Sequence, residues 1–277
     1  MADPKGKLIK AARQLVETDL LLGGSFIPRK RNPLTISPSP TAPPDNRSSQ
    51  PSHTFTCEAF DSLVGAGMTI EQRKEALSQI DINEVRPCAK CILCKNRTQT
   101  VFGEGDVDAQ LVFIGEGPGE EEDRTGRPFV GRAGELLNNM IVAMGLKRRQ
   151  AYICNVVKCR PPNNRAPAVE EAAACRNYLV RQLQIIAPKV IVTLGNPATQ
   201  NLLDTKIGIT KLRGQWQKLP PIAPGLGGID VMPTFHPAYV LRQYTADTRG
   251  KVWSDLQQVM TKLRLPPPDK KVNSIGR

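Results

Sequence analysis

The chain has 277 residues, 40% hydrophobic and 23% charged, a balance that suits a globular protein and excludes a wholly disordered one. Lys and Arg number 38 against 26 Asp and Glu; the net charge of +12 favours a polyanionic partner, because phosphate neutralisation and counterion release reward it. No apolar run approaches the ~18–20 residues of a membrane span, and Glu17 and Asp19 interrupt what could have been a signal-peptide core, so a soluble cytoplasmic protein is expected.

Between Lys5 and Leu21, the residues Leu8, Ile9, Ala12, Leu15, Val16 and Leu20 recur at helical spacing, which predicts an amphipathic helix within a first segment, 1–27. Segment 28–56 is rich in Pro and Ser and reads as a flexible linker. A helical lead-in, 57–85, carries a capping box at Thr69 and Gln72. From residue 86 strands and helices alternate. Gln110–Ile114 is an apolar run stopped by GEGPG, and Ala133–Met144 is a helix closed by Gly145. Tyr152–Val157 forms a second strand, followed by a long helix over 169–186, the strand VIVTL and a helix opened by Asn196-Pro197-Ala198. The strand Asp230–Thr234 precedes FHPAY, and Asp247–Leu263 closes a domain spanning 86–265, ahead of a basic tail, 266–277. This order predicts an α/β fold: a three-layer α/β/α domain around a central, mainly parallel four-stranded sheet, behind a helical and partly disordered N-terminal extension. In such sheets ligands bind beyond the carboxyl ends of the strands, where the GEGPG, Asn155 and FHPAY loops begin.

Three kinds of residue could carry chemistry there. Cys88-x2-Cys91, Cys159 and Cys175 supply four thiolates that suit a four-iron, four-sulfur cluster or a structural zinc, if the long helix folds back. Cys94 could compete as a ligand, and Cys154, on a strand, reads as core. The loop Gly115-Glu-Gly-Pro-Gly119 departs from the dinucleotide-binding spacing, and no GKS or GKT phosphate loop exists. Its acidic follow-on, Glu120–Asp123, reads as a solvated turn, with Pro128-Phe129-Val130 folding an aromatic face back. His236 follows a strand end and precedes Pro237, and Asn155 offers a donor and an acceptor side by side, a fork that suits a base edge.

The stretch Val101–Met140 resembles the iron–sulfur uracil-DNA glycosylases, family 4, and YICNVVKCRPPNNRAP and TFHPAYVLR resemble that family's later motifs in the same order. The resemblance covers roughly residues 86–265 and implies an enzyme that flips uracil out of DNA and hydrolyses its N-glycosidic bond. It implies that Glu116 and Gly117 sit at the scissile bond, Glu122 is a pocket acid excluding the thymine methyl, and Phe129 stacks on the base. Asn155 then reads the base edge and His236 donates to it. It implies one four-iron, four-sulfur cluster on Cys88, Cys91, Cys159 and Cys175, leaving Cys94 spare. RTGRPFVGRAG runs on without the basic, histidine-bearing insertion of a related group whose histidine bonds covalently to the opened sugar, so monofunctional hydrolysis is expected. Arg242, Lys158 and Arg160 are the candidate DNA contacts, and the expected partner of this monomer is uracil-containing DNA, single- or double-stranded. The rivals are a nucleotide hydrolase or transferase on the same scaffold and a non-catalytic iron–sulfur DNA-binding or redox module.

Overall fold

The computed structural model describes residues 67–266. The expected N-terminal helix, the 28–56 linker and nearly all of the C-terminal tail lie outside the described residues.

Helix α1 (Ile70–Ile80) starts where the sequence places its cap. The Thr69 hydroxyl accepts from the Gln72 N–H, and the Gln72 side chain accepts from the Thr69 N–H at 2.8 Å. Arg73, nearly buried, then donates to the Ile186 carbonyl and pairs with Asp108, so α1 is fastened to the α/β body.

The sheet consists of β1 (Glu104–Gly105), β2 (Leu111–Gly115), β3 (Tyr152–Asn155), β4 (Val190–Leu194), β5 (Gln217–Lys218) and β6 (Asp230–Thr234), in the order β1-β3-β2-β4-β6-β5. The four central strands are parallel, as expected. The four-strand expectation needs one correction, because β1 and β5 add an antiparallel pair at each edge. Two residues are too few to show an alternating pattern, which is why the sequence hides them.

The helices are α2 (Glu120–Thr125), α3 (Arg132–Ala143), α4 (Val169–Ile186), α5 (Asn196–Leu203), α6 (Ile209–Leu212), α7 (Pro237–Arg242) and α8 (Ala246–Leu263). Alternate residues of β2 face opposite layers. Val112 and Ile114 join a core with Leu77, Tyr178, Leu183 and Leu202, while Leu111 and Phe113 join one with Leu137, Met140, Trp253 and Leu256. Burial on both faces explains why β2 and β4 are continuous apolar runs. The acidic run beginning at Glu120, read as a turn, is instead helix α2, with its carboxylates in the first turn where the helix dipole favours them.

Candidate active site

The loops after β2, β3, β4 and β6 meet over a cavity of about 550 Å³ at the carboxyl end of the sheet. Glu116, Gly117, Phe129, Asn155, His236 and Arg242 all line it. The close packing of β2 against β3 fixes two of these groups. Gly115 pairs with Asn155 in register, and the Val156 and Val157 N–H groups donate to the Gly115 and Glu116 carbonyls. Asn155 ends β3 with 1% of its surface exposed, and its Oδ1 accepts no hydrogen bond among the described residues. Such an orphaned acceptor ordinarily costs about 1–3 kcal/mol, so its presence at a cavity wall marks a place for a donor from outside the chain.

Phe129 forms the facing wall. It is buried, holds a left-handed backbone (φ 51°), and its ring lies 5.7 Å from the His236 ring at an interplanar angle of 33°. A side chain other than glycine rarely adopts this conformation, so neighbours must hold it. Arg148 does so, donating to the Phe129 and Pro128 carbonyls and to Asn138, while Glu104 accepts from its Nε at 2.8 Å. Gly134 lets α3 approach, since a Cβ there would lie 1.9 Å from the Phe129 carbonyl oxygen.

Glu122 lines the cavity, but its carboxylate is engaged by backbone. Oε2 accepts from the Gly119 N–H at 3.1 Å, and Oε1 from Val130 and Gly131 at 2.9 and 3.0 Å. Through these bonds the carboxylate also ties the start of α2 to the segment carrying Phe129.

His236 caps α7, and its Nδ1 accepts from the Ala238 N–H at 3.1 Å. That bond fixes the neutral tautomer, with the proton on Nε2. Desolvation, aided by the charge of Arg242, lowers the His236 pKa to about 4, so the ring is neutral at pH 7. Burial raises the Glu116 pKa above the usual carboxylate range, and Arg242 partly opposes the rise. Arg242 is exposed at the cavity mouth, where a phosphate could reach it.

The other two candidate DNA contacts are placed differently. Lys158 is 1% exposed, its Nζ donating to the Asn155 carbonyl at 2.9 Å and to Gln182 Oε1 at 2.6 Å. An ammonium at that depth has no access to a backbone phosphate, and the DNA-contact assignment fails for it. Arg160 donates to Asn164 at 2.8 Å and approaches Glu120 at 3.7 Å, and it lies off the cavity wall. Sequence reasoning passed over Arg165, held by Glu171 at 2.6 Å, and Tyr239, its ring tilted against Phe235, both at the cavity. Arg148 was equally missed, because a Lys-Arg-Arg run has the look of a solvated face.

Cys88, Cys91, Cys159 and Cys175 border one small cavity behind the pocket, and Cys94 borders it too. Among the described residues no three His, Cys, Asp or Glu side chains form a set arranged to hold a single metal ion. Arg97 donates to Cys159 Sγ at 3.2 Å and to the Cys88 carbonyl at 2.8 Å, and the Lys158 N–H donates to Cys175 Sγ at 3.3 Å. Burial pushes the Cys159 thiol up to about 11 and raises Cys175 as well. Sulfurs held this way become thiolates only when a cation compensates them, and soft thiolate donors suit iron–sulfur clusters or zinc. The donor chemistry of these thiols therefore fits an iron–sulfur cluster.

A family model described as the Uracil DNA glycosylase superfamily matches residues 102–257. The chain is 51% identical over 186 residues to a type-4 uracil-DNA glycosylase of Thermotoga maritima, covering 67% of this chain and 94% of that protein. A type-4 enzyme of Sulfurisphaera tokodaii is 46% identical, with 64% of this chain and 80% of the relative covered. For that of Archaeoglobus fulgidus the identity is 43%, over 67% of this chain and 92% of the relative. With its sheet, its pocket-bearing loops and these likenesses, the chain belongs to the uracil DNA glycosylase superfamily, in its type-4 family.

Proposed function

We propose that the chain is a DNA-repair enzyme that excises uracil from DNA by hydrolysing the bond between the base and its deoxyribose, leaving an abasic site. The observation that carries this reading is the buried, partnerless Oδ1 of Asn155. Uracil presents an N3–H donor beside the O4 acceptor, complementary to a side-chain amide; cytosine presents the reverse and leaves both amide groups unmatched. Phe129 stacks on the flipped ring, and Gly117 lines the same cavity beside Glu116.

Cleavage builds positive charge on the sugar and negative charge on the uracil ring. The Nε2–H of His236 donates to O2 as that charge grows, a preorganised donor already in the correct tautomer. Glu116, in its carboxylate form, orients the attacking water and stabilises the cationic sugar. Arg242 contacts a flanking phosphate. The target must leave its stack, which costs a few kcal/mol and is easiest in single strands, so the monomer acts on both strand forms and works fastest on the single one. Cys88, Cys91, Cys159 and Cys175 would hold a four-iron, four-sulfur cluster, which would supply a rigid cross-link between their chain segments.

Incubating the protein with a uracil-containing single strand, then hot alkali, tests the activity. Scission at the uracil position, lost in Asn155→Ala and His236→Ala, is the expected result. Binding without scission would instead support a non-catalytic DNA-binding module.

A further inference from the structure

Lys158 is the most deeply placed cation among the described residues that bonds directly to the pocket's main chain. Its ammonium is bonded to two neutral acceptors, the Asn155 carbonyl and Gln182 Oε1. Gln182 is itself fully buried and donates to the Phe102 carbonyl at 2.9 Å and to the Tyr152 hydroxyl at 3.0 Å, so the acceptor it offers to Lys158 is held in place. The main chain of Lys158 is pinned too. Its carbonyl accepts from the Val101 N–H at 2.8 Å, and its N–H donates to Cys175 Sγ. A buried ammonium without a carboxylate partner is costly, and a merely structural role would be served as well by an apolar side chain of the same length. What the charge supplies is a strong bond to one particular carbonyl, that of the residue whose side-chain oxygen stands orphaned in the pocket.

We propose that Lys158 is a positioning residue for base recognition: from behind the sheet it holds the Asn155 backbone at the end of β3, which aims the Asn155 amide at the flipped base. The proposal rests on the reading of Asn155 as the group that contacts uracil. The arrangement also runs from the cysteine centre to the pocket, since Lys158 bonds Asn155 through its side chain and Cys175 through its main chain.

A double-mutant cycle tests it, using kcat/KM on a uracil-containing single strand and inhibition by free uracil. Lys158→Met keeps the length and removes the charge. It should lower kcat/KM by ~10–100-fold, the scale of a lost charge-assisted bond, and weaken uracil inhibition in proportion. In an Asn155→Ala background the same change should cost less than about threefold, because the side chain being aimed is gone. A structural role predicts equal losses in both backgrounds, and that additivity, or full activity in Lys158→Met, overturns the proposal. If Lys158→Met does not fold, Gln182→Leu, which removes the second acceptor, is taken through the same cycle with the same criteria. Full activity in Asn155→Ala alone would overturn the base-contact reading and the proposal with it, a result distinct from additivity.

Discussion

At Glu116 and His236 the same burial shifts two titrations in opposite directions. Desolvation raises the carboxyl of Glu116 and lowers the imidazole of His236 to about 4. Hydrolysis requires Glu116 ionised and His236 neutral, and the second requirement is met at pH 7. As the pH falls, Glu116 takes up its proton first, above the ordinary carboxylate range, and His236 charges only near 4. The acid limb of kcat/KM against pH therefore reports Glu116, and Glu116→Gln should remove that limb while lowering the rate by ~10²–10³-fold. A limb that persists in Glu116→Gln would assign it to another group. Gly115 gives a second prediction on the same scale. A Cβ there would lie 2.4 Å from Asn155 Oδ1 and 2.5 Å from the Phe129 ring, the two faces between which the base must fit. Gly115→Ala should raise KM more than tenfold while the thermal midpoint moves little, because the atoms displaced border a cavity. Steady-state kinetics beside a melting curve check this.

On the scale of elements, the segment joining α2 to α3 depends on ties that reach it from outside. Arg148 and Glu122 together hold the main chain from Pro128 to Gly131. Arg148→Ala leaves the Phe129 carbonyl without its guanidinium and Glu104 without its less exposed partner. Stability should fall by about 2 kcal/mol, the cost of hydrogen bonds to a charged group, and the loosened ring should raise KM with kcat less affected. Urea unfolding and steady-state kinetics measure the two parts, and an unchanged KM would show that Phe129 keeps its position without Arg148. This tie also shows where sequence reading stops. β4, β6 and α4 were legible to the residue, since short runs rich in apolar residues and helical periodicity record burial locally. The pocket was legible as well: Glu116, Asn155 and His236 follow or end strands in one parallel sheet, which forces them to one edge. Arg148 and Lys158 were not. Their partners stand as far as 44 and 24 residues away, and no local pattern separates a buried lysine or arginine from a solvated one. The edge strands were hidden by their length, and α2 by an acidic composition that fits a turn and a helix N-terminus equally well.

Across the whole molecule, the cysteine centre joins parts of the chain that the sheet does not. Cys88 and Cys91 lie between α1 and β1, Cys159 follows β3, and Cys175 is in α4. Arg97 adds a clamp, reaching the Cys88 and Arg86 carbonyls and Cys159 Sγ from one guanidinium. A cluster bound there would close chain loops, and closing loops stabilises a fold by restricting the unfolded chain. Removing it should therefore act first as a loss of stability. Stripping iron with a chelator under reducing, anaerobic conditions should lower Tm by about 10 °C, equivalent to roughly 3 kcal/mol at ~2–4 °C per kcal/mol for a domain of this size. Cys175→Ser should reproduce the fall and lose iron. Activity at low temperature should decline less than stability, because Glu116 and His236 line one cavity and the four thiols border another. Calorimetry paired with iron analysis decides the matter: an unchanged Tm in iron-free protein would deny the centre its cross-linking role. Full iron in Cys175→Ser would instead move the ligand set towards Cys94, the fifth thiol on the same cavity.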